Sequence, residues 1–262
     1  MLLKITEKCS AGCIHCLSDC KPDGAHMSMD TLKNVMDFII NNDLCRSIGV
    51  TGGEPTEHPE FIHVINYIID RCKETGNIYA ITITTNGFWV IDHQEEAIEI
   101  VNKSTENVVV TWQVSTDSRY YTKKLDTTKR IFREKGFFLC TDCVLKLDMM
   151  GRAKENNLDD GTHKKCSSCY NLRAVARQMY ERGTRSLGDI IQSLELIGRF
   201  CTPAIRIDGG ISFGESDLCP KSSSIYKSHD EVLQDLLECS CKMCGQNDHL
   251  SLMYKILIKK PA

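Results

Sequence analysis

The sequence predicts an α/β fold built on a mainly parallel sheet. Through the first half, short β-branched runs alternate with segments of helical period, the pattern of a parallel sheet covered by helices. Each early strand runs into a loop of Cys, Gly, Thr or Asn, the residue types that carry sites at the carboxyl ends of parallel strands. Beyond Leu147 this alternation stops and a cysteine-rich stretch follows.

The elements follow in order. Met1–Thr6 is the first strand. Ser28 is placed to cap a helix to about Ile40, with Leu32, Val35, Met36 and Ile39 on one face. Ser47–Val50 is a short strand, and Pro59–Lys73 a helix opened by its proline. Tyr79–Thr84 is a strand, Glu95–Lys103 a helix, and Asn107–Val114 a buried strand rich in Val. Lys123–Lys135 reads as helix and Phe137–Leu147 as strand, giving fewer units than a closed eight-fold barrel needs. Asp148–Cys169 is irregular, and helices are expected near Leu172–Arg182 and Ser186–Phe200.

The 262 residues suffice for one large domain, or one domain with a small appendage. A net charge of −3 gives no electrostatic footprint for nucleic acid, so no DNA partner is expected. No apolar run reaches the ~20 residues of a membrane span. The 15 cysteines are an odd number, include four CxxC pairs, and follow no secretory signal. That usage fits metal ligation in a reducing cytoplasm rather than a disulfide framework.

The first strand leads into Cys9-Ser-Ala-Gly-Cys13-Ile-His-Cys16, three cysteines in eight residues. Thiolates so spaced can each take a different iron of a cubane, leaving the fourth iron open to chemistry. A tetrahedral zinc site would instead normally draw CxxC pairs from two loops. Thr51-Gly52-Gly53-Glu54-Pro55 follows the second strand; alone it is a turn. Thr84-Thr85-Asn86-Gly87 ends the third, also readable as an ordinary Asn-Gly turn.

CxxxCxxC followed by Gly-Gly-Glu-Pro resembles the radical S-adenosylmethionine superfamily. The resemblance implies a partial six-stranded (β/α) TIM-like barrel, open at one side. It implies a 4Fe–4S cluster on Cys9, Cys13 and Cys16 whose open iron chelates S-adenosylmethionine, and reductive cleavage to a 5′-deoxyadenosyl radical. His15 would pack near adenine. Gly52, Gly53 and Glu54 would hold the methionyl amino group, and Thr84 and Asn86 would lie beside methionine and ribose. Ser115 and Asp117 would stand near the ribose, with a capping role equally open. Arg152 could pair with the cofactor carboxylate, although most loop arginines are simply solvated.

Downstream, Cys201 and Cys219 bracket a hairpin signal at Asp208-Gly209-Gly210, and Ser228–Glu231 reads as a capping box for a helix to about Glu238. Cys239-Ser-Cys241-Lys-Met-Cys244 comes next. The gaps around Gly214 resemble the twitch (SPASM-like) appendage of the same superfamily. This implies a small C-terminal cysteine-rich iron–sulfur domain, 186–262, after a core of 1–185. Its auxiliary 4Fe–4S cluster would sit on Cys201, Cys219, Cys241 and Cys244, with Cys239 a competitor for Cys241. A zinc ribbon is the alternative. Cys140-Thr-Asp-Cys143 and Cys166-Ser-Ser-Cys169 could build a further metal site or pack as small hydrophobes; Cys140 or Cys143 could also donate a hydrogen atom to substrate. Cys20, Cys45 and Cys72 read as packing or surface residues.

The leading functional expectation is maturation of a ribosomally made peptide by cross-linking, epimerisation or oxidation. Dehydrogenation of a small alcohol or amino sugar is the runner-up. RNA modification ranks third, given the acidic balance, and a non-catalytic electron carrier would have no use for Gly-Gly-Glu-Pro. Expected partners are the peptide or small-molecule substrate and an electron donor such as flavodoxin or ferredoxin. The chain begins at its first strand, so a separate leader-peptide-binding protein, or the barrel mouth, would recognise a leader.

Overall fold

The computed structural model describes residues 1–115, 127, 130, 131, 133, 134, 151–158, 177–184, 186–196, 203–212, 219 and 221–238. Strands β1 (Leu2–Thr6), β2 (Ser47–Gly52), β3 (Ala80–Thr85) and β4 (Val109–Val114) alternate with α1 (Met29–Asn41), α2 (Phe61–Thr75), α3 (Phe88–Asp92) and α4 (Gln94–Asn102). α5 (Gly151–Glu155), α6 (Leu187–Leu196), β5 (Ala204–Ile205), β6 (Gly210–Ser212), β7 (Ser223–Ser224) and α7 (His229–Glu238) follow. One sheet holds the order β4-β3-β2-β1-β5-β6-β7. The run from β4 to β5 is parallel, whereas β6 and β7 are antiparallel.

The α/β class with a mainly parallel sheet is therefore as expected. Phe137–Leu147, on which a further barrel strand depended, lies outside the described residues. Cys140, Cys143, Cys166, Cys169, Asp117, Cys201, Gly214, Cys239, Cys241 and Cys244 lie outside them too.

Alternation along the strands sorts the two faces of the sheet. Leu3, Ile5, Ile48, Val50, Ile81, Ile83, Val110, Trp112 and Val114 pack with Leu32, Val35, Ile65, Ile68 and Ile100 of the helices in one core. The opposite face is polar, with Lys4, Thr82, Thr84, Thr111 and Gln113; the Thr82 and Thr111 hydroxyls stand 3.3 Å apart. Parallel strands buried on both sides are usually near-continuously apolar, so this face is shaped for something polar.

Ser28 caps α1, its hydroxyl accepting from the Thr31 N–H at 3.1 Å. The Ser228–Glu231 capping box closes reciprocally: Ser228 N–H donates to the Glu231 carboxylate at 2.9 Å, and Glu231 N–H donates back to the Ser228 hydroxyl at 3.4 Å. The expected hairpin at Asp208-Gly209-Gly210 is the β5–β6 turn, and β5 itself extends the core sheet beside β1, Leu2 opposite Ala204.

Two expectations need correcting. Pro59 does not open α2: Glu60 is the N-cap, and Phe61 N–H bonds His58 O at 3.0 Å, making Pro59 and Glu60 the corner of a turn. Short α3 was not foreseen. It starts because the Asn86 side chain accepts from Phe88 N–H at 2.9 Å, an Asx turn that folds the chain straight into a helix.

Candidate functional site

All four early strand ends open onto one rim. After β1 the chain makes a loop whose stem is closed by Glu7 N–H to Ala25 O at 2.8 Å and Cys9 N–H to Lys21 O at 2.9 Å. Cys9, Cys13 and Cys16 lie on this loop, each half-buried and none in a disulfide. No group of three Cys, His, Asp or Glu side chains among the described residues is gathered as one metal ion would require. Thiolates that each bind a separate iron of a cubane need not gather in that way.

The thiols differ in character. Burial pushes Cys9 up to about 11, with the Glu54 and Glu57 charges adding to the effect. Cys16 is drawn down to about 4, first by a hydrogen bond from the Cys20 thiol and then, against burial, by the Arg152 guanidinium. Cys20 is buried at 6% exposure, with its sulfur 3.9 Å from Gly52 O. Its packing role is as expected; its contact with Cys16 was not foreseen.

Gly-Gly-Glu-Pro turns tightly against the cysteine loop. Gly53 N–H donates to Thr6 O at 2.7 Å and Glu54 N–H to Lys8 O at 2.8 Å. Gly52 has φ +146°, and a β-carbon there would stand 2.1 Å from Thr6 O, so only glycine fits. Glu54 is buried, at 3% exposure. Its Oε1 accepts from the Thr85 hydroxyl at 2.7 Å and the Thr56 hydroxyl at 2.8 Å, and its Oε2 accepts from Asn86 N–H at 2.7 Å. Burial raises this carboxyl above the usual carboxylate range, and the bonds from Asn86, Thr85 and Thr56 draw it back.

Glu54 thus joins the β2 and β3 ends into one unit. Thr85, rather than Thr84, makes that junction: strand alternation turns Thr85 toward Glu54 and leaves Thr84 half-buried on the polar face. The period-two pattern carried this signal, because Thr85 continues the Ile81–Ile83 series. Ser115 N–H donates to Thr85 O at 2.9 Å, prolonging the β3–β4 ladder to the rim. Beyond Glu54, His58 is buried with Nδ1 accepting from Glu60 N–H at 3.1 Å; its Nε2 therefore carries the proton and donates to Met27 O at 2.9 Å.

His15 is half-buried between Cys13 and Cys16. Arg152 lies behind the loop, its Nη2 donating to Cys20 O at 3.0 Å and its Nε 3.3 Å from the Asp19 carboxylate. At the far side of the sheet, Cys219 is buried and its carbonyl accepts from the Arg206 guanidinium. Cys45 and Cys72 are core residues, and burial pushes the Cys72 thiol up to about 12. No described helix is long and apolar enough to cross a membrane.

Residues 3–135 match the model of the Radical SAM superfamily. An uncharacterised protein of Methanocaldococcus jannaschii is 34% identical over 74 residues, 28% of this chain and 24% of the relative. The antilisterial bacteriocin subtilosin biosynthesis protein AlbA of Bacillus subtilis is 23% identical over 108 residues, 41% of this chain and 22% of that protein. The matches therefore span about a quarter of these relatives' own length. The crystal structure of BtrN in complex with AdoMet and 2-DOIA has the same fold, with a TM-score of 0.51 and 14% identity over 98% of this chain and 85% of that one.

Proposed function

Because this chain belongs to the radical SAM superfamily and is a radical SAM enzyme, we propose that Cys9, Cys13 and Cys16 carry its 4Fe–4S cluster and that it matures a ribosomally made peptide. The donor set fits the cluster: three half-buried thiols outside any disulfide, on a short loop with open space beside Gly12. When bound, cluster and S-adenosylmethionine supply a carbon-centred radical that takes a hydrogen atom from the substrate.

The protein's own groups prepare that chemistry. The Gly52-Gly53 turn brings backbone within reach of the methionyl amino group, and Glu54 Oε2, with one bond from Asn86, has a lone pair for it. His15 offers a flat ring to adenine, and Asn86 and Ser115 flank the ribose. Arg152 already serves the loop, donating from Nη2 to Cys20 O and lying 3.3 Å from the Asp19 carboxylate, and any pairing with a cofactor carboxylate would draw on the rest of its guanidinium. The polar sheet face with Lys4, Thr82, Thr84, Thr111 and Gln113 gives substrate amides partners. The single observation carrying the assignment is the coincidence on one rim of the thiol loop and the buried Glu54–Thr85–Asn86 junction. The similarity to a bacteriocin biosynthesis protein supports a peptide substrate.

Residues 186–262 form the twitch-like auxiliary unit in this proposal, with a second cluster on Cys201, Cys219, Cys241 and Cys244. Cys140 or Cys143 would face the substrate. The enzyme would work in the cytoplasm, reduced by a flavodoxin or ferredoxin and served by a leader-binding partner.

Anaerobic reconstitution with iron and sulfide tests this. Filling of both sites gives about eight irons per chain, and addition of dithionite and S-adenosylmethionine yields 5′-deoxyadenosine. Changing Cys9, Cys13 and Cys16 to Ala abolishes that product while the tail cluster's absorbance stays. Undiminished cleavage in the triple variant sinks the cluster assignment; turnover of a small polyol with no peptide product overturns the substrate.

A further inference from the structure

The loop from Cys9 to Cys16 has little structure of its own. Within it the backbone bond is Cys16 N–H to Cys13 O at 3.2 Å, and Gly12 and Ile14 are exposed. A loop with so few internal bonds takes its shape from whatever grips it. Two elements distant in sequence do so, one at its start and one at its end.

On the first flank is Glu57, in the 3-10 turn that follows Gly-Gly-Glu-Pro. Its Oε1 accepts from Ser10 N–H at 2.8 Å and its Oε2 from the Ser10 hydroxyl at 2.7 Å. On the second flank is the turn 151–156. Arg152 N–H donates to Cys16 O at 3.0 Å, its Nη2 to Cys20 O at 3.0 Å, and Asn156 Nδ2 to Ile14 O at 2.8 Å. Gly151 permits this approach. Its φ is +49°, and a β-carbon there would lie 2.6 Å from Cys16 O and 2.8 Å from Leu17 O, so any side chain would push the loop away.

We propose that Glu57 together with Gly151, Arg152 and Asn156 forms a two-sided brace that fixes where the three thiols stand; these are positioning residues acting through the loop. Ser10 lies between Cys9 and Cys13, whereas Ile14 and Cys16 bracket His15, so each cysteine interval is held from one side. Partners outside the ligands matter in metal sites because they set ligand orientation before the metal arrives. The brace spends most of Arg152 on the loop, giving this arginine a structural task independent of the bound cofactor. The inference deepens the proposed function and rests on the cluster reading only for its chemical consequence.

The test uses the full chain, metal-free and reconstituted, as wild type, Asn156→Ala, Arg152→Ala and Glu57→Gln. Asn156 is exposed, so its truncation leaves the core intact. Amide exchange over residues 10–20 of the metal-free chain should quicken about tenfold in Arg152→Ala and less in Asn156→Ala, with exchange in α2 unchanged. In the reconstituted chain, iron release to a chelator should be about tenfold faster, with an altered electron paramagnetic resonance spectrum of the reduced cluster. Wild-type exchange in all three variants overturns the brace whatever the iron does. Altered exchange in a chain that takes up no iron upholds the brace and removes the cluster assignment instead.

Discussion

The Glu54 carboxylate accepts the Asn86 backbone N–H at 2.7 Å across 32 residues of sequence, and both residues are buried. Two loops that the chain presents separately, after β2 and after β3, are one object in space. The Thr56 N–H and hydroxyl, the Thr85 hydroxyl and the Asn86 N–H all donate to this carboxylate, so the arrangement favours the ionised form that burial opposes.

Glu54→Gln therefore has a definite outcome. One oxygen becomes an NH₂ that must face the Thr85 and Thr56 hydroxyls or Asn86 N–H, leaving a buried donor without an acceptor. Stability should fall by about 1–3 kcal/mol in urea melts, and 5′-deoxyadenosine formation should fall with it. A variant as stable as wild type would show that the junction is idle.

Gly52→Ala attacks the same corner through sterics. The new methyl would meet Thr6 O at 2.1 Å with φ at +146°, so β1 and β2 cannot both keep their ends. A loss of at least about 1–3 kcal/mol is expected from the backbone strain alone, measured by thermal denaturation. Unchanged melting would show that the turn can open.

Trp112 anchors the core beneath the rim. It is fully buried, its indole N–H donates to Ala97 O at 3.1 Å, and its ring lies 6.1 Å from that of Phe61. Trp112→Ala should cost about 3–5 kcal/mol; Trp112→Phe should cost less, chiefly the lost bond to Ala97.

Asp43 supplies a pH signature. Arg46 beside it holds its carboxyl below the usual range, mainly by hydrogen bonding, with Nη2 to Oδ2 at 2.8 Å. A depressed folded-state value means a stabilising contribution present above the unfolded value near 3.8 and lost as pH falls through the folded one. The side chain is 44% exposed, so screening keeps the effect to ~0–1 kcal/mol. Asp43→Asn should be slightly less stable than wild type at pH 6 and should converge with it below about pH 4. An equal gap at pH 6 and pH 3 would remove the ion pair as its cause.

Much of this was legible from residue order. Ser28 and Ser228–Glu231 mark their helices because caps are local chemistry, and β1–β4 show in period-two runs of Ile, Val and Thr. The cysteine trio and Gly-Gly-Glu-Pro were visible as motifs, and strand topology explains why they share a rim. Contacts that only tertiary structure creates were not legible. Strand alternation sets Thr85 apart from Thr84 but does not name Glu54 as its partner, and nothing local pairs Glu57 with Ser10 or Asn156 with Ile14. Pro59 misled because a proline suits a helix start and a turn corner equally well.

The pairing of Leu2 and Leu3 with Ala204 and Ile205 has a temporal consequence. During synthesis, β1 acquires its second neighbour only after some two hundred further residues have left the ribosome. Contacts so distant along the chain form slowly. The strand that launches the thiol loop must wait with one edge bare until β5 has been made.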